Sequence, residues 1–204
     1  SQDPAAWWRA NGARVLSSAA KGNLDEGDLW RFRQASWMEA RRLADAHDIE
    51  GLLSLARELV QAYPAGAQGG VLADVTAYAL FATLPDEGCR ALEGDPDPIA
   101  ACARAWLFWW MLQDDLALRT VEDTVQAHPD CLVAWECLWT LAEAFHLRAT
   151  QKHAGEELLS RAERAGVRRS AGFCRAWVGF LAAEGETALA ADEARRLGLE
   201  PART

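Results

Sequence analysis

What most constrains this chain is the spacing of its helix stops. Pro64, Pro96, Pro129, Gly166 and Pro201 each close a stretch in which apolar residues recur every three or four positions, and they stand 32, 33, 37 and 35 residues apart. Proline lacks the amide donor and clashes with the preceding turn, while glycine accepts the left-handed backbone that ends a helix. Each interval holds two helices of about 12 to 15 residues and two short turns, a unit too small to bury its own apolar faces alone. A direct echo supports the period: Val60-Gln61-Ala62-Tyr63-Pro64 returns as Val125-Gln126-Ala127-His128-Pro129, two intervals later.

Start signals agree with the stops. Asp3-Pro4 and Asp97-Pro98 each set an acidic N-cap before a proline at the first helical position, and Asp130 follows Pro129 ahead of an apolar run. No segment alternates β-branched and aromatic residues between turn residues, so strands are not expected. The prediction is an all-α single domain over residues 1–204. A capping helix and turn occupy 1–28, and about five helical hairpins occupy 29–201, stacked as an α-α superhelix, or solenoid.

The residues resemble the tetratricopeptide repeat family over about 29–201. The unit-closing proline after a second helix is seen from Asp48 through Pro64 and again from Asp114 through Pro129. Trp135 and Leu138, with the preceding Pro129, fall where the family places its aromatic, its leucine and its closing proline. Ala40, Ala105 and Ala117 fall where small residues let helices approach. Departures are Trp139 in place of a small residue, Arg104 in place of an apolar one, Pro85 inside a second helix, and a long fourth unit. The resemblance implies a scaffold whose first helices line a concave surface that receives another protein or peptide segment.

Charge narrows the partners. Acidic groups number 30 against 21 basic, giving a net charge of -9 and a pI near 5.0, so the chain repels nucleic acid and anionic membrane surfaces. The longest apolar run, 99–112, is too short to span a bilayer and contains Arg104, so no membrane insertion is expected. Cys89, Cys102, Cys131, Cys137 and Cys174 form no Cys-x-x-Cys pair, and three lie in apolar runs; the reading is a reducing, cytoplasmic setting with free thiols. The opening Ser1-Gln2-Asp3-Pro4 lacks the basic and apolar regions of a signal peptide.

Chemistry is not legible. The carboxylate pairs Asp86-Glu87, Asp114-Asp115 and Glu156-Glu157 sit where acids complement helix starts. His47, His128, His146 and His153 are scattered, and Cys131 and Cys137, six apart on a helix, face different ways and cannot jointly hold zinc. No nucleophile elbow, phosphate loop or dinucleotide fingerprint is present. No catalytic residue, metal or cofactor is assigned, and the chain is read as a non-enzyme.

Tryptophan is the anomaly, with ten residues concentrated in the first helices of the hairpins. By analogy with the family, the partner-binding residues are Trp37, Arg41, Tyr78, Trp106, Trp109, Trp110, Glu136, Thr140, Phe173 and Trp177. Such a groove is largely apolar, the surface that interface hot spots favour. The function expected is therefore protein binding, as an adaptor, a chaperone or a regulatory sensor. Two alternatives stay open: an all-α small-molecule-binding or catalytic domain with a Trp-lined pocket, and a self-associating module forming homo-oligomers.

Overall fold

The computed structural model describes residues 38–52, 54–55, 88–90, 92–166, 169 and 171–199, together with the isolated positions 6, 10, 11 and 14. Most of the capping helix, Pro64, Pro85 and Pro201 lie outside the described residues. Among the described residues all regular structure is helical and no strand occurs. Helical residues at 38–45, 49–52, 54–55 and 88–90 precede six complete helices: α1 (Pro98–Trp110), α2 (Asp114–Ala127), α3 (Leu132–Ala144), α4 (Arg148–Arg164), α5 (Ala171–Ala183) and α6 (Thr187–Arg196).

Local chemistry places these boundaries. The Asp97 carboxylate accepts from the Ile99 amide at 2.8 Å and Pro98 opens α1, as the sequence predicts. The predicted cap at Asp130 is displaced by one residue. Pro129 and Asp130 form a turn in which the Cys131 amide donates to the His128 carbonyl, so Cys131 takes the N-cap place and Asp130 stays in solvent. Helix α2 is amphipathic, burying Ala117, Val121, Thr124 and Val125 in a single stripe. By contrast, α1 and α3 are apolar nearly all round and form the inner layer, with eight buried residues each.

Packing runs between neighbours. α1 pairs with α2, α3 with α4 and α5 with α6, while α1 and α2 both lie against α3. The join from α3 to α5 is made of rings: Trp139 meets Phe173, Trp177 and Phe180 edge-on at 5.4, 5.7 and 5.4 Å between centroids. Edge-to-face geometry sets the positive rim of one ring on the negative face of the next and adds about 0.5–1.5 kcal/mol per pair beyond burial. Trp139, which departs from the family pattern, is thus the hub of an aromatic cluster. Gly155 on α4 makes room for it, since a Cβ there would stand 2.6 Å from Trp177 and 2.7 Å from Trp139. At the rim, Lys152–Glu186 (2.6 Å), Arg148–Glu184 (3.6 Å) and Arg196–Glu163 (3.1 Å) tie α4 to the last hairpin.

Four helix ends that lead into a further helix close in one way, which the end of α6 repeats at Gly198. His47, Leu112, His146 and Gly185, each the middle residue of a three-residue turn, have φ of 57°, 59°, 57° and 81°. Each donates its amide three residues back, and the following residue donates five back, to Leu43, Phe108, Ala142 and Leu181 at 2.8–2.9 Å. This six-to-one and five-to-two pair satisfies the last carbonyls of the helix and turns the chain through a hairpin. Glycine accepts this backbone freely, whereas a leucine there pays roughly 1 kcal/mol.

Candidate partner-binding face

The matched turns give the hairpins a common register. Counting six back from the left-handed residue reaches Arg41, Trp106, Thr140 and Gly179; counting ten back reaches Trp37, Cys102, Glu136 and Arg175. In this register Phe173 and Trp177 match Ala134 and Leu138 on α3, which are interior positions. The residues of α5 that match Glu136, Thr140 and Glu143 are Arg175, Gly179 and Ala182, and all three are exposed.

The expected site residues therefore part company. Trp106, Phe173 and Trp177 are buried and serve the core. Trp109 and Trp110 are half-buried; Trp109 lies 5.0 Å from the Trp106 ring and meets Phe145, at the end of α3, edge-on at 6.4 Å. Glu136 reaches Arg169 at 2.9 Å in an ion pair whose side chains are 14% and 4% exposed, and the Arg169 guanidinium lies 5.5 Å from the Phe173 ring centroid. That carboxylate is committed to the fold, because removing either partner would strand a buried charge. The Thr140 hydroxyl donates to the Glu136 carbonyl at 2.9 Å, and exposed Arg41 pairs with Asp45 at 3.0 Å. Trp37 and Tyr78 lie outside the described residues. Where a continuous apolar groove was expected, the described part of the matched face is polar or small on α3 and α5, and aromatic only at the end of α1.

Sequence reasoning missed what adjoins that aromatic end. Met111 is half-buried, and Leu112, in the turn, is 87% exposed; Leu116 on α2 and Leu147 before α4 are exposed as well. A signal was available. Trp110-Met111-Leu112-Gln113 precedes the Asp114-Asp115 helix start, and two apolar residues in a turn are out of place. Arg104, which stands where the resemblance leads one to expect an apolar residue, keeps its guanidinium 5.1 Å from the centroid of the Phe108 ring while reaching Glu93 at 3.4 Å.

Two other groupings bear on chemistry. The Cys102 thiol on α1 hydrogen-bonds with that of Cys137 on α3, and this bond together with complete burial pushes Cys102 well above the ordinary thiol value of 9.0. A thiol held neutral is a poor nucleophile and a poor metal ligand. Among the described residues no group of three or more His, Cys, Asp or Glu is arranged to hold a metal. Between α2, α3 and α4, an open crevice of about 440 Å³ is lined by Trp135, Leu138, Glu122, Gln126, Thr150 and His153, among others. Its Trp135 is fixed by a 2.8 Å bond from Nε1 to the Pro129 carbonyl and by Arg161 at 5.0 Å from its ring. No described helix is long and apolar enough to cross a membrane.

Compared with known protein families and with curated proteins, the chain matches none.

Proposed function

We propose that this chain is a helical repeat protein of the tetratricopeptide kind, an α-α superhelix that binds another polypeptide and performs no chemistry of its own. Two features support the array. The left-handed turn residues His47, Leu112, His146 and Gly185 fall 65, 34 and 39 positions apart, 65 being about twice the spacing of the helix stops in the sequence. Packing between neighbouring helices is what stacked hairpins require.

Binding rests on one observation: α1 ends in large apolar groups that pack against the core and are only half covered by it. Trp106, Leu107 and Phe108 already close the interior, yet Trp109, Trp110 and Met111 remain half-buried with exposed Leu112 beside them. Tryptophan and methionine are the side chains enriched at interfaces, and a partner polypeptide supplies the area that would cover them. The crevice beside Trp135 favours a second reading, a small organic ligand, which a one-to-one titration with an apolar dye sensitive to Trp135→Ala would support.

The test compares three tryptophans. Trp106→Ala removes a ring that is 5% exposed and is expected to cost about 3–5 kcal/mol of stability. Trp109→Ala and Trp110→Ala are expected to cost less than about 2 kcal/mol of stability and about 2 kcal/mol or more of affinity for a captured partner. Unchanged capture by both would place the contact surface elsewhere and remove the support for this reading.

A further inference from the structure

From the end of α1 and its rim we infer that the partner segment is basic and amphipathic, with large apolar side chains that seat on Leu112 and Trp109 and flanking lysines or arginines that meet Asp114, Asp115 and Glu143. This inference rests on the polypeptide-binding reading and adds the chemistry of the partner.

The first observation is Leu112 itself. It is 87% exposed and holds φ at 59°, the conformation for which the matched turn of the last hairpin uses Gly185. Exposure of a leucine and a left-handed backbone are two local disadvantages at one residue, and departures of that kind gather at functional positions. Leu116, in the first turn of α2, is exposed as well, and the Trp109–Phe145 contact brings the end of α3 up to the end of α1. In the last hairpin the equivalent turn is Glu184-Gly185-Glu186, whose acids are engaged by Arg148 and Lys152.

Charge is the second observation. Asp114 and Asp115 open α2 immediately after Leu112, and Glu143 stands two residues before Phe145, the ring that meets Trp109. All three are exposed, and none makes an ion pair among the described residues. The neighbouring cations are turned to other groups: Arg119 donates to the Asp115 backbone carbonyl at 3.2 Å, and Arg148 faces Glu184 at 3.6 Å. The apolar patch is therefore edged by acids on a chain of net charge -9, which attracts a cationic segment and repels an anionic one.

The probe is a short synthetic helix-forming peptide of leucine and lysine, compared with a leucine–glutamate peptide of the same pattern and an alanine–lysine peptide. Fluorescence anisotropy over a salt series reads binding. The leucine–lysine peptide is expected to bind and the other two to bind at least about tenfold more weakly. Leu112→Gly, which keeps the turn, is expected to weaken binding about tenfold or more. The double variant Asp114→Asn with Asp115→Asn is expected to weaken it several-fold and to flatten its salt dependence. Binding that neither variant alters, or equal binding of the leucine–glutamate peptide, overturns the inference. So does concentration-dependent self-association abolished by Leu112→Gly, because a second copy would then cover the patch. A captured partner that is lost on Trp109→Ala but indifferent to the Leu112 and Asp114/Asp115 variants overturns this inference while leaving the polypeptide-binding reading intact. Absence of any polypeptide bound through Trp109 or Trp110 overturns both.

Discussion

Two glycines inside helices have opposite reasons to be there. Gly155 faces Trp139 and Trp177 so closely that a methyl group would overlap ring carbons, whereas a Cβ on Gly179 meets nothing within 4 Å. Helix propensity favours alanine over glycine by about 1 kcal/mol at either site. At Gly155 the overlap outweighs that gain, because two buried rings held by four edge-on or stacked contacts cannot move aside singly. Gly155→Ala is expected to lower stability by about 1–3 kcal/mol, and Gly179→Ala to raise it by about 0.5–1 kcal/mol, both read by denaturant unfolding. Equal effects would mean that the ring cluster is looser than its geometry. Leu112→Gly belongs beside them: little contact is lost from an exposed side chain and backbone strain is relieved, so a gain of about 1 kcal/mol in stability is expected, opposite in sign to its effect on binding. A loss of stability would show that Leu112 contributes packing its exposure conceals.

At the scale of the element, helix starts and stops were legible because capping is local. Asp97-Pro98 opens α1 and left-handed Gly166 ends α4 as the sequence indicates, and Pro129 ends α2 through a turn whose cap is shifted from Asp130 to Cys131. Facing was less legible. On α5 the sequence reading places Phe173 and Trp177 on the open face, whereas they belong to the join with α3; α4 has 17 residues where α2 has 14, so the spacing of the earlier unit does not carry over. On α1, apolar residues on nearly every side do not say which ring points out. Pairing across helices was not legible at all, and the Cys102–Cys137 contact between α1 and α3 is the instance with a measurable consequence. Its hydrogen bond and burial raise the folded pKa of Cys102, so the stabilisation is complete below the thiol's ordinary 9.0 and is lost as pH rises above it. Above that value the unfolded thiol ionises while the folded one cannot, at a slope of up to about 1.4 kcal/mol per pH unit. The loss of stability between about pH 8 and about pH 10 is expected to be larger in the parent protein than in Cys102→Ala. Identical losses would place the thiol in contact with solvent.

Across the whole molecule the helices differ in how much holds them. α3 touches α1, α2 and α4 through backbone-close packing and α5 through its rings, so it cannot leave without opening the interior. α5 contributes Phe173, Cys174, Trp177, Phe180 and Leu181 to buried positions. α6 contributes Ala190 alone, leaves Leu189 exposed, and relies on its packing against α5 with the Arg196–Glu163 pair. An exposed ion pair is worth at most about 1 kcal/mol, so most of α6's attachment is its thin contact with α5. In an array stabilised by neighbour contacts, an end element with so little burial opens by itself, while a single cooperative bundle opens all its helices together. Native-state hydrogen exchange separates the two. The amides of α6 are expected to exchange through openings at least about 2 kcal/mol below that of α3, with α5 between them, and the α6 value alone should fall further in Arg196→Ala. One opening free energy shared by α3, α5 and α6, unmoved by Arg196→Ala, would instead describe a closed bundle and count against the superhelix.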